Sequence, residues 1–251
     1  MDLQKASMWK RISAGLFDGI LLAMLAVGFF WLLSLALGYD RHEQAWTDAC
    51  ARYEQQYDVI FEISRETYEA MTEAEQQNYN AAYEALCADE EAMYAYNMTA
   101  NLTLITVTGG ILLAMLLLEF TVPLLFKNGQ TLGKKIFGVG LMRFDGVKLS
   151  PVQLFTRTVL GKFALETMIP VYICILFIFG AMGIGGTLLL GALGLAQLIL
   201  LIVTRENALI HDKRSGTVAV DFASQMIFDT PEALLEYKKR ISAEQAKKQT
   251  Y

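Results

Sequence analysis

The stretch AGLFDGILLAMLAVGFFWLLSLAL, residues 14–37, is mostly apolar, and Asp18 is its only charged residue. About 20 mostly apolar residues are enough for a helix to cross the hydrocarbon core of a bilayer. The run is too long for the apolar part of a signal peptide, and no small-residue cleavage site follows it. It therefore predicts a first membrane-spanning helix that is retained in the protein.

Two further apolar regions extend this reading. Leu102–Phe126 predicts a second span, and residues 164–203 are too long for one span and contain a glycine-rich middle. We read them as two helices near Leu165–Ala181 and Thr187–Val203; one tilted span followed by a re-entrant segment is the alternative. The sequence thus predicts an all-α membrane protein with four transmembrane helices in two hairpins. A hydrophobic content of 54% and a mean hydropathy of +0.35 agree with this class.

The distribution of charge predicts the orientation of the chain. Residues 127–162 contain seven basic residues and a single acidic one, which is typical of a cytoplasmic loop. The segments before the first span and after the last span are also basic. Four crossings with both termini in the cytoplasm therefore place all three basic segments on the cytoplasmic side. The predicted segments are the first span with the N-terminus (1–38), an acidic extracytoplasmic insert (39–100), the second span (101–127), a basic cytoplasmic loop (128–163), the third and fourth spans (164–204), and a cytoplasmic end with a charged tail (205–251).

The insert is strongly acidic and rich in aromatic residues. Asp40–Asn97 contains fourteen acidic residues and three arginines. Aromatic residues at helical spacing and the capping-box sequence Thr72–Glu75 predict two antiparallel helices joined near residues 64–71. Cys50 and Cys87 lie equally far from that connection, which favours a disulfide in an oxidising compartment; two unpaired cysteines are the alternative.

The cytoplasmic loop has its own local signals. Asp145-Gly146 between apolar residues predicts a small β-hairpin. Ser150-Pro151-Val152-Gln153 predicts the start of a helix, with serine as the N-cap and proline in the first turn. We expect the basic residues of this helix to contact lipid headgroups rather than nucleic acid.

The sequence favours no enzyme, cofactor or metal site. Its three cysteines form no CxxC pair, its two histidines lie far apart, and no phosphate-binding loop or nucleophile motif is present. We therefore expect a non-enzymatic membrane protein without a bound cofactor or metal.

Three short motifs resemble those of the RDD family. They are KRISAGLFD at residues 10–18, NGQTLGKKIFGV at 128–139 and ALIHDKRSGTVAV at 208–220. The family is named for one arginine and two aspartates, and the matching residues here are Arg11, Asp18 and Asp212. The resemblance covers the spans and the cytoplasmic segments, but not the insert. It implies the cytoplasmic membrane of a bacterium or archaeon, and cation/proton antiport is an activity proposed for some members.

Ionisable residues inside the predicted spans are the candidate functional residues, because their burial is costly without a partner or a purpose. Asp18, Glu119 and Glu166 fall at similar depth near the cytoplasmic side and are candidate ion-binding or proton-coupled groups. Arg11, Arg157, His211 and Asp212 are candidates for a charge network. Asp18 could instead pair with Arg157, Arg205 or Arg11 and simply lock the bundle. Gly15 and Gly19 would let another helix approach Asp18 closely.

Two functions follow. The first is a small secondary transporter that exchanges a monovalent cation for protons, and four spans would then favour a homo-oligomer. The second is a scaffold or accessory subunit whose acidic insert binds a protein partner outside the membrane.

Overall fold

The computed structural model describes residues 4–126, 128–178, 184–203 and 209–249. The described residues are mostly helical, with one small two-stranded sheet. By contacts the chain divides into two compact units, one formed by Met1–Ala26 with Ile111–Tyr251 and the other by Val27–Gly110.

The first span is helix α1, Met8–Leu37. Its large apolar side chains remain largely exposed, as at Leu16 (65%), Met24 (68%) and Trp31 (60%). A soluble protein rarely leaves such a surface uncovered, whereas lipid chains solvate it. The expected first span is therefore confirmed as a helix with the length and composition to cross a membrane.

The insert consists of α2 (Tyr39–Tyr57), α3 (Arg65–Glu69) and α4 (Glu73–Ala88). Thr72 and Glu75 form the capping box that the sequence predicts at the start of α4. Helices α2 and α4 are antiparallel, since Tyr53 contacts Asp89 whereas the later residue Tyr57 contacts the earlier residue Asn78. Their core is small, and it comprises Ala49, Leu86 and Ala92 with Trp46, Cys50, Tyr53 and Phe61 packed against them.

The disulfide predicted between Cys50 and Cys87 finds no support in this structure, because both residues are free thiols. Cys50 packs into the core of the insert, and burial raises the pKa of its thiol. Cys87 is exposed and shares a hydrogen bond with Tyr83. The two cysteines therefore lie on helices that pack together, but no disulfide bond joins them.

The second span-capable helix, Glu90–Phe126, changes its winding before its end. Helix α5 (Glu90–Met115) passes into a π-helical segment, Leu116–Thr121, and then into α6 (Val122–Phe126). A π-helical turn is rare and often marks a functional position. Glu119 lies inside this segment.

The basic loop between the second and third spans contains α7 (Leu132–Ile136) and strand β1 (Val139–Arg143). The predicted Asp145-Gly146 turn forms, with Gly146 donating its N–H to the carbonyl of Arg143. The predicted β-hairpin is nevertheless wrong. Strand β1 pairs antiparallel with β2 (Thr217–Asp221), because the chain after the turn enters the Ser150 capping box and begins α8 (Pro151–Phe155).

The third span-capable helix, Pro151–Phe177, contains an unusually long π-helical segment. Helix α8 continues into this segment, Thr156–Met168, and then into α9 (Ile169–Ile178). Arg157, Lys162 and Glu166 lie within the π-helical part. The Ser150 N-cap and the proline in the first turn confirm the predicted helix start.

Among the described residues, three helices have the length and composition to cross a membrane. Helix α10 (Ile184–Val203) has a shorter apolar part, Gly185–Leu200, so the fourth span remains a prediction. The predicted turn around Gly180 and Gly183 lies outside the described residues. The chain ends with α11 (Ile210–Ser215), β2 and the exposed helix α12 (Pro231–Gln249).

The two-stranded sheet packs against the start of α1. Val139, Leu141 and Ala219 form one buried cluster with Ala6 and Ala14. This packing brings the loop that precedes β1 and the helix that precedes β2 to the same end of α1. The residues of the candidate site lie on those connecting segments.

Candidate functional site

Charged side chains from five segments converge near the first residues of α1. These residues are Arg11 and Asp18 of α1, Glu119 of the first π-helical segment, Lys134 of α7, Arg157, Lys162 and Glu166 of the second π-helical segment, and His211 and Asp212 of α11. All of them belong to the unit formed by Met1–Ala26 and Ile111–Tyr251.

Asp18 is buried and is held by two uncharged donors. The hydroxyl of Thr131 donates to Oδ2 at 2.5 Å, and the backbone N–H of Gly133 donates to Oδ1 at 2.7 Å. Thr131 is the N-cap of α7, which explains how one short helix presents both groups. Among the described residues, neither lysine nor arginine forms an ion pair with Asp18, and Arg205 lies outside them.

The close approach to Asp18 occurs at Gly133, not at the glycines of α1. A Cβ atom on Gly133 would lie 2.4 Å from the carbonyl oxygen of Ala14 and 2.9 Å from the Asp18 carboxylate. A Cβ atom on Gly15 or Gly19 would meet nothing within 4 Å. The expectation that Gly15 and Gly19 admit a helix beside Asp18 is therefore wrong, since a loop helix approaches through its own glycine.

Asp212 is completely buried and is paired with arginine. The Nε and Nη2 groups of Arg157 donate to its Oδ1 at 3.0 and 2.9 Å, and Arg11 lies 3.7 Å from its Oδ2. Burial alone would raise the pKa of Asp212, but the charges of Arg157 and Arg11 hold it well below its usual range. Asp212 is thus a fixed anion at the centre of the network.

The hydrogen bonds of His211 determine its tautomer. Arg157 Nη2 lies 2.8 Å from His211 Nε2, and because a guanidinium can only donate, Nε2 must accept. The proton therefore resides on Nδ1, which donates to Glu166 Oε2 at 2.7 Å. Burial and the charge of Arg157 lower the pKa of His211, which agrees with a neutral ring. Gly161 makes this packing feasible, because a Cβ atom there would lie 2.7 Å from the Cβ of His211.

Glu119 faces three cations. Lys162 donates a short hydrogen bond to its Oε1, and Lys134 and Arg157 lie 3.6 and 3.9 Å from its Oε2. The hydroxyl of Thr158 also donates to the backbone carbonyl of Glu119 at 3.0 Å. This bond gives a carbonyl group of the π-helical segment a hydrogen-bond partner. Among the described residues, Glu119 Oε2 and Arg157 Nη1 are the buried side-chain atoms without a hydrogen-bond partner.

Lys134 links the surroundings of Asp18 and Glu119. Its ammonium group lies 3.2 Å from Thr131 Oγ1 and 3.6 Å from Glu119 Oε2. Burial lowers the pKa of Lys134 to about 8, although Glu119 acts in the opposite direction. This lysine can therefore lose its proton at a pH only slightly above neutral.

A cavity of about 310 Å³ opens beside these groups. Its charged and titratable lining residues are Arg11, Asp18, Lys134, Arg157, Lys162, Glu166, His211 and Asp212. Glu119 is not part of the lining. We refer to this space as the charged cavity.

The three residues that the motifs single out lie together in the structure. Arg11, Asp18 and Asp212 all line the charged cavity. The family model of the RDD family matches residues 5–216. The chain belongs to the RDD family. No curated protein and no solved structure shows a significant match. In this RDD protein the arginine pairs with the second aspartate, whereas the first aspartate binds the N-terminal end of α7.

Sequence reasoning selects seven of the participating side chains, and all seven lie in this network. It missed Thr131, Gly133, Lys134 and Lys162 as partners of the buried carboxylates. The available signal was the motif GQTLGKK, which includes the first three of these residues. Asp212 itself is buried, and its carboxylate accepts hydrogen bonds from Arg157 and Thr217.

Proposed function

We propose that this RDD protein is a small secondary transporter that exchanges a monovalent cation for protons, with Asp18 as the cation site. The observation that supports the proposal most strongly is the environment of Asp18. Its carboxylate is buried, lines the charged cavity and is held only by uncharged donors among the described residues. A buried anion in such surroundings gains stability when a cation binds.

Oxygen atoms surround the proposed cation site. The carboxylate of Asp18, the hydroxyl of Thr131 and the carbonyl of Ala14 all lie close to Gly133. Hard cations prefer oxygen ligands of this kind. No group of three or more His, Cys, Asp or Glu residues gathers as a metal site in the described part of the chain. A single carboxylate with neutral oxygens suits one positive charge better than two.

Lys134 provides a physical coupling between the cation and a proton. Its ammonium group contacts Thr131, the same residue that binds Asp18. A cation that binds at Asp18 repels the ammonium charge and favours release of its proton. Because the pKa of Lys134 is already about 8, this release requires little additional perturbation near neutral pH. One cation then replaces one proton without a change in net charge.

Glu119, in this proposal, is a fixed counter-ion and not a cation ligand. Three cationic groups surround its carboxylate, and it does not line the charged cavity. A fourth cation has no electrostatic reason to bind there. Asp18 and Glu119 therefore have different roles although both are buried acids in predicted spans.

The proposal is tested by flux in proteoliposomes. We expect an imposed Na⁺ or K⁺ gradient to change the internal pH of vesicles that contain the wild-type protein. Asp18→Asn should abolish this change, whereas the matched variant Asp221→Asn, whose carboxylate pairs with Lys10 away from the charged cavity, should retain it. The proposal fails if the wild-type protein produces no cation-dependent pH change, or if Asp18→Asn exchanges normally.

The membrane placement is proposed together with this function. We propose that both termini lie in the cytoplasm of a bacterial or archaeal cell, that four helices cross its membrane and that the protein forms a homo-oligomer. The basic loop and the acidic insert support this orientation. Reporter fusions after Leu37 and after Gln249 should report opposite sides of the membrane.

A second candidate function rests on the insert. Its helices α2 and α4 enclose a core of their own, within a unit distinct from that of the charged cavity. Such a segment can bind an extracytoplasmic protein while the remainder of the chain anchors it. Deletion of residues 42–96 should then abolish cross-linking to that protein and leave cation-dependent exchange intact. Loss of exchange in a deletion variant that still folds would contradict this division of roles.

A further inference from the structure

A second cavity, of about 220 Å³, lies between the third span-capable helix and α10. Its lining is mostly apolar and includes Leu165, Pro170, Leu190 and Leu193. Its polar side chains are Glu166 and Gln197. We refer to this space as the apolar cavity.

Glu166 lines both cavities, and among the described residues it is the one that the two linings share. On the charged side, His211 donates from its backbone N–H to Oε1 at 2.9 Å and from Nδ1 to Oε2 at 2.7 Å. On the apolar side, the side chain of Gln197 is hydrogen-bonded to the same carboxylate. One carboxyl group thus separates two spaces.

The orientation of Gln197 is set by the backbone. Its Oε1 accepts the N–H of Ile210 at 3.4 Å, which leaves the amide NH₂ to donate toward Glu166. Polar groups within apolar membrane helices are costly without a partner. The residues of α10 include no charged side chain, so the position of Gln197 is best explained by its contact with Glu166.

We propose that Glu166 is the proton-exchanging residue of a path that joins the charged cavity to the apolar cavity. A protonated water in the charged cavity delivers a proton to a carboxylate oxygen, where an O–H bond forms and water is released. The O–H bond then breaks toward a water molecule in the apolar cavity, which restores the carboxylate. The proposal deepens the exchange activity proposed above and relies on it for the flux measurement alone.

His211 acts in this path as a positioning residue. Its Nε2 is occupied by Arg157, so the ring presents a fixed N–H to Glu166 and does not itself carry the proton across. The charged groups that face His211 are Arg157, Asp212, Lys162 and Glu166. Because the Nδ1–H favours the ionised carboxylate, its removal should make Glu166 easier to protonate.

Two glycines of α10 give a matched test of the path. Gly194 lines the apolar cavity, Gly191 lines neither cavity, and a Cβ atom on either would meet nothing within 4 Å. Gly194→Leu should fill the cavity and remove most of the cation-driven proton flux, whereas Gly191→Leu should leave it unchanged. Equal flux in the two variants would overturn the proposed path.

Glu166→Gln gives the second test, with infrared difference spectroscopy as a readout that needs no transport. When the pH is lowered, the spectra of wild-type protein and Glu166→Gln should differ by the carbonyl band of one protonated carboxyl group, and Glu166→Gln should lose the proton flux. In His211→Asn the band should persist, with its midpoint moved to higher pH. A wild-type protein without exchange would refute the proposed function. Identical carbonyl bands in wild type and Glu166→Gln, or unchanged flux in that variant, would refute the role of Glu166.

Discussion

Asp18 and Glu119 show how the partners of a buried carboxylate determine what it can do. Both are nearly inaccessible to solvent, at 6% and 4% exposure. Asp18 accepts from a hydroxyl and a backbone amide, whereas Glu119 is surrounded by Lys134, Lys162 and Arg157. Sequence position places both acids at similar depth in spans, but it does not reveal these neighbours, which come from distant parts of the chain.

The contact between α1 and α7 depends on the absence of a side chain at Gly133. In Gly133→Ala the new Cβ atom would lie 2.4 Å from the Ala14 carbonyl oxygen, so the backbones must separate. We expect a loss of about 1–3 kcal/mol in stability. Gly15→Ala should have little effect, because nothing lies within 4 Å of that position. Thermal unfolding in detergent compares the two variants, and equal melting temperatures would contradict the close approach.

Lys134 should give the protein a specific dependence of stability on pH. Its pKa is about 8 in the folded protein, against an ordinary value of 10.5. Between these values the unfolded chain binds the additional proton, so the free energy of unfolding rises with pH. Below pH 8 both states are protonated, and the full cost of the buried charge applies.

Unfolding measured across this window tests the assignment. Lys134→Met should remove part of the rise, whereas Lys135→Met should preserve it, because the neighbouring lysine is exposed and lies over the ring of Phe126. An identical slope in wild type and Lys134→Met would show that Lys134 titrates normally.

At the scale of elements, local signals were reliable and pairing over long distances was not. The capping boxes at Thr72 and Ser150 form as predicted, because each depends only on residues three apart. The Asp145-Gly146 turn also forms, yet β1 pairs with Thr217–Asp221 at the other end of the sequence. Nothing in the composition of β1 specifies that partner. The two π-helical segments likewise had no recognisable sequence signal.

The second π-helical segment and α11 are held together by Arg157. Its guanidinium contacts Asp212, His211 and Glu119, and a lysine cannot reproduce that fork. We expect Arg157→Gln to cost roughly 3–5 kcal/mol, since it leaves buried charges uncompensated. Arg143→Gln breaks an exposed pair with Asp145 and should cost about 1 kcal/mol or less. Thermal unfolding again distinguishes them, and a mild effect of Arg157→Gln would mean that the network is solvated.

At the scale of the whole molecule, the sequence predicted the membrane class, the helical insert and the residues of the charge network. Apolar length and charge carry that information directly. It did not predict the cavities, because a cavity depends on how Gly133 and Gly161 bring separate segments together. The RDD motifs were recognisable in the sequence, and the structure shows that residues from all three motifs line one cavity.

The central claim is that a cation bound at Asp18 displaces a proton from the neighbouring Lys134. The most direct measurement is proton release when NaCl or KCl is added to purified protein in weakly buffered detergent near pH 8, with choline chloride as the ionic-strength control. We expect saturable release from the wild-type protein and none from Asp18→Asn or from Lys134→Met. Absence of release from the wild-type protein, or equal release from Asp18→Asn, would contradict the claim.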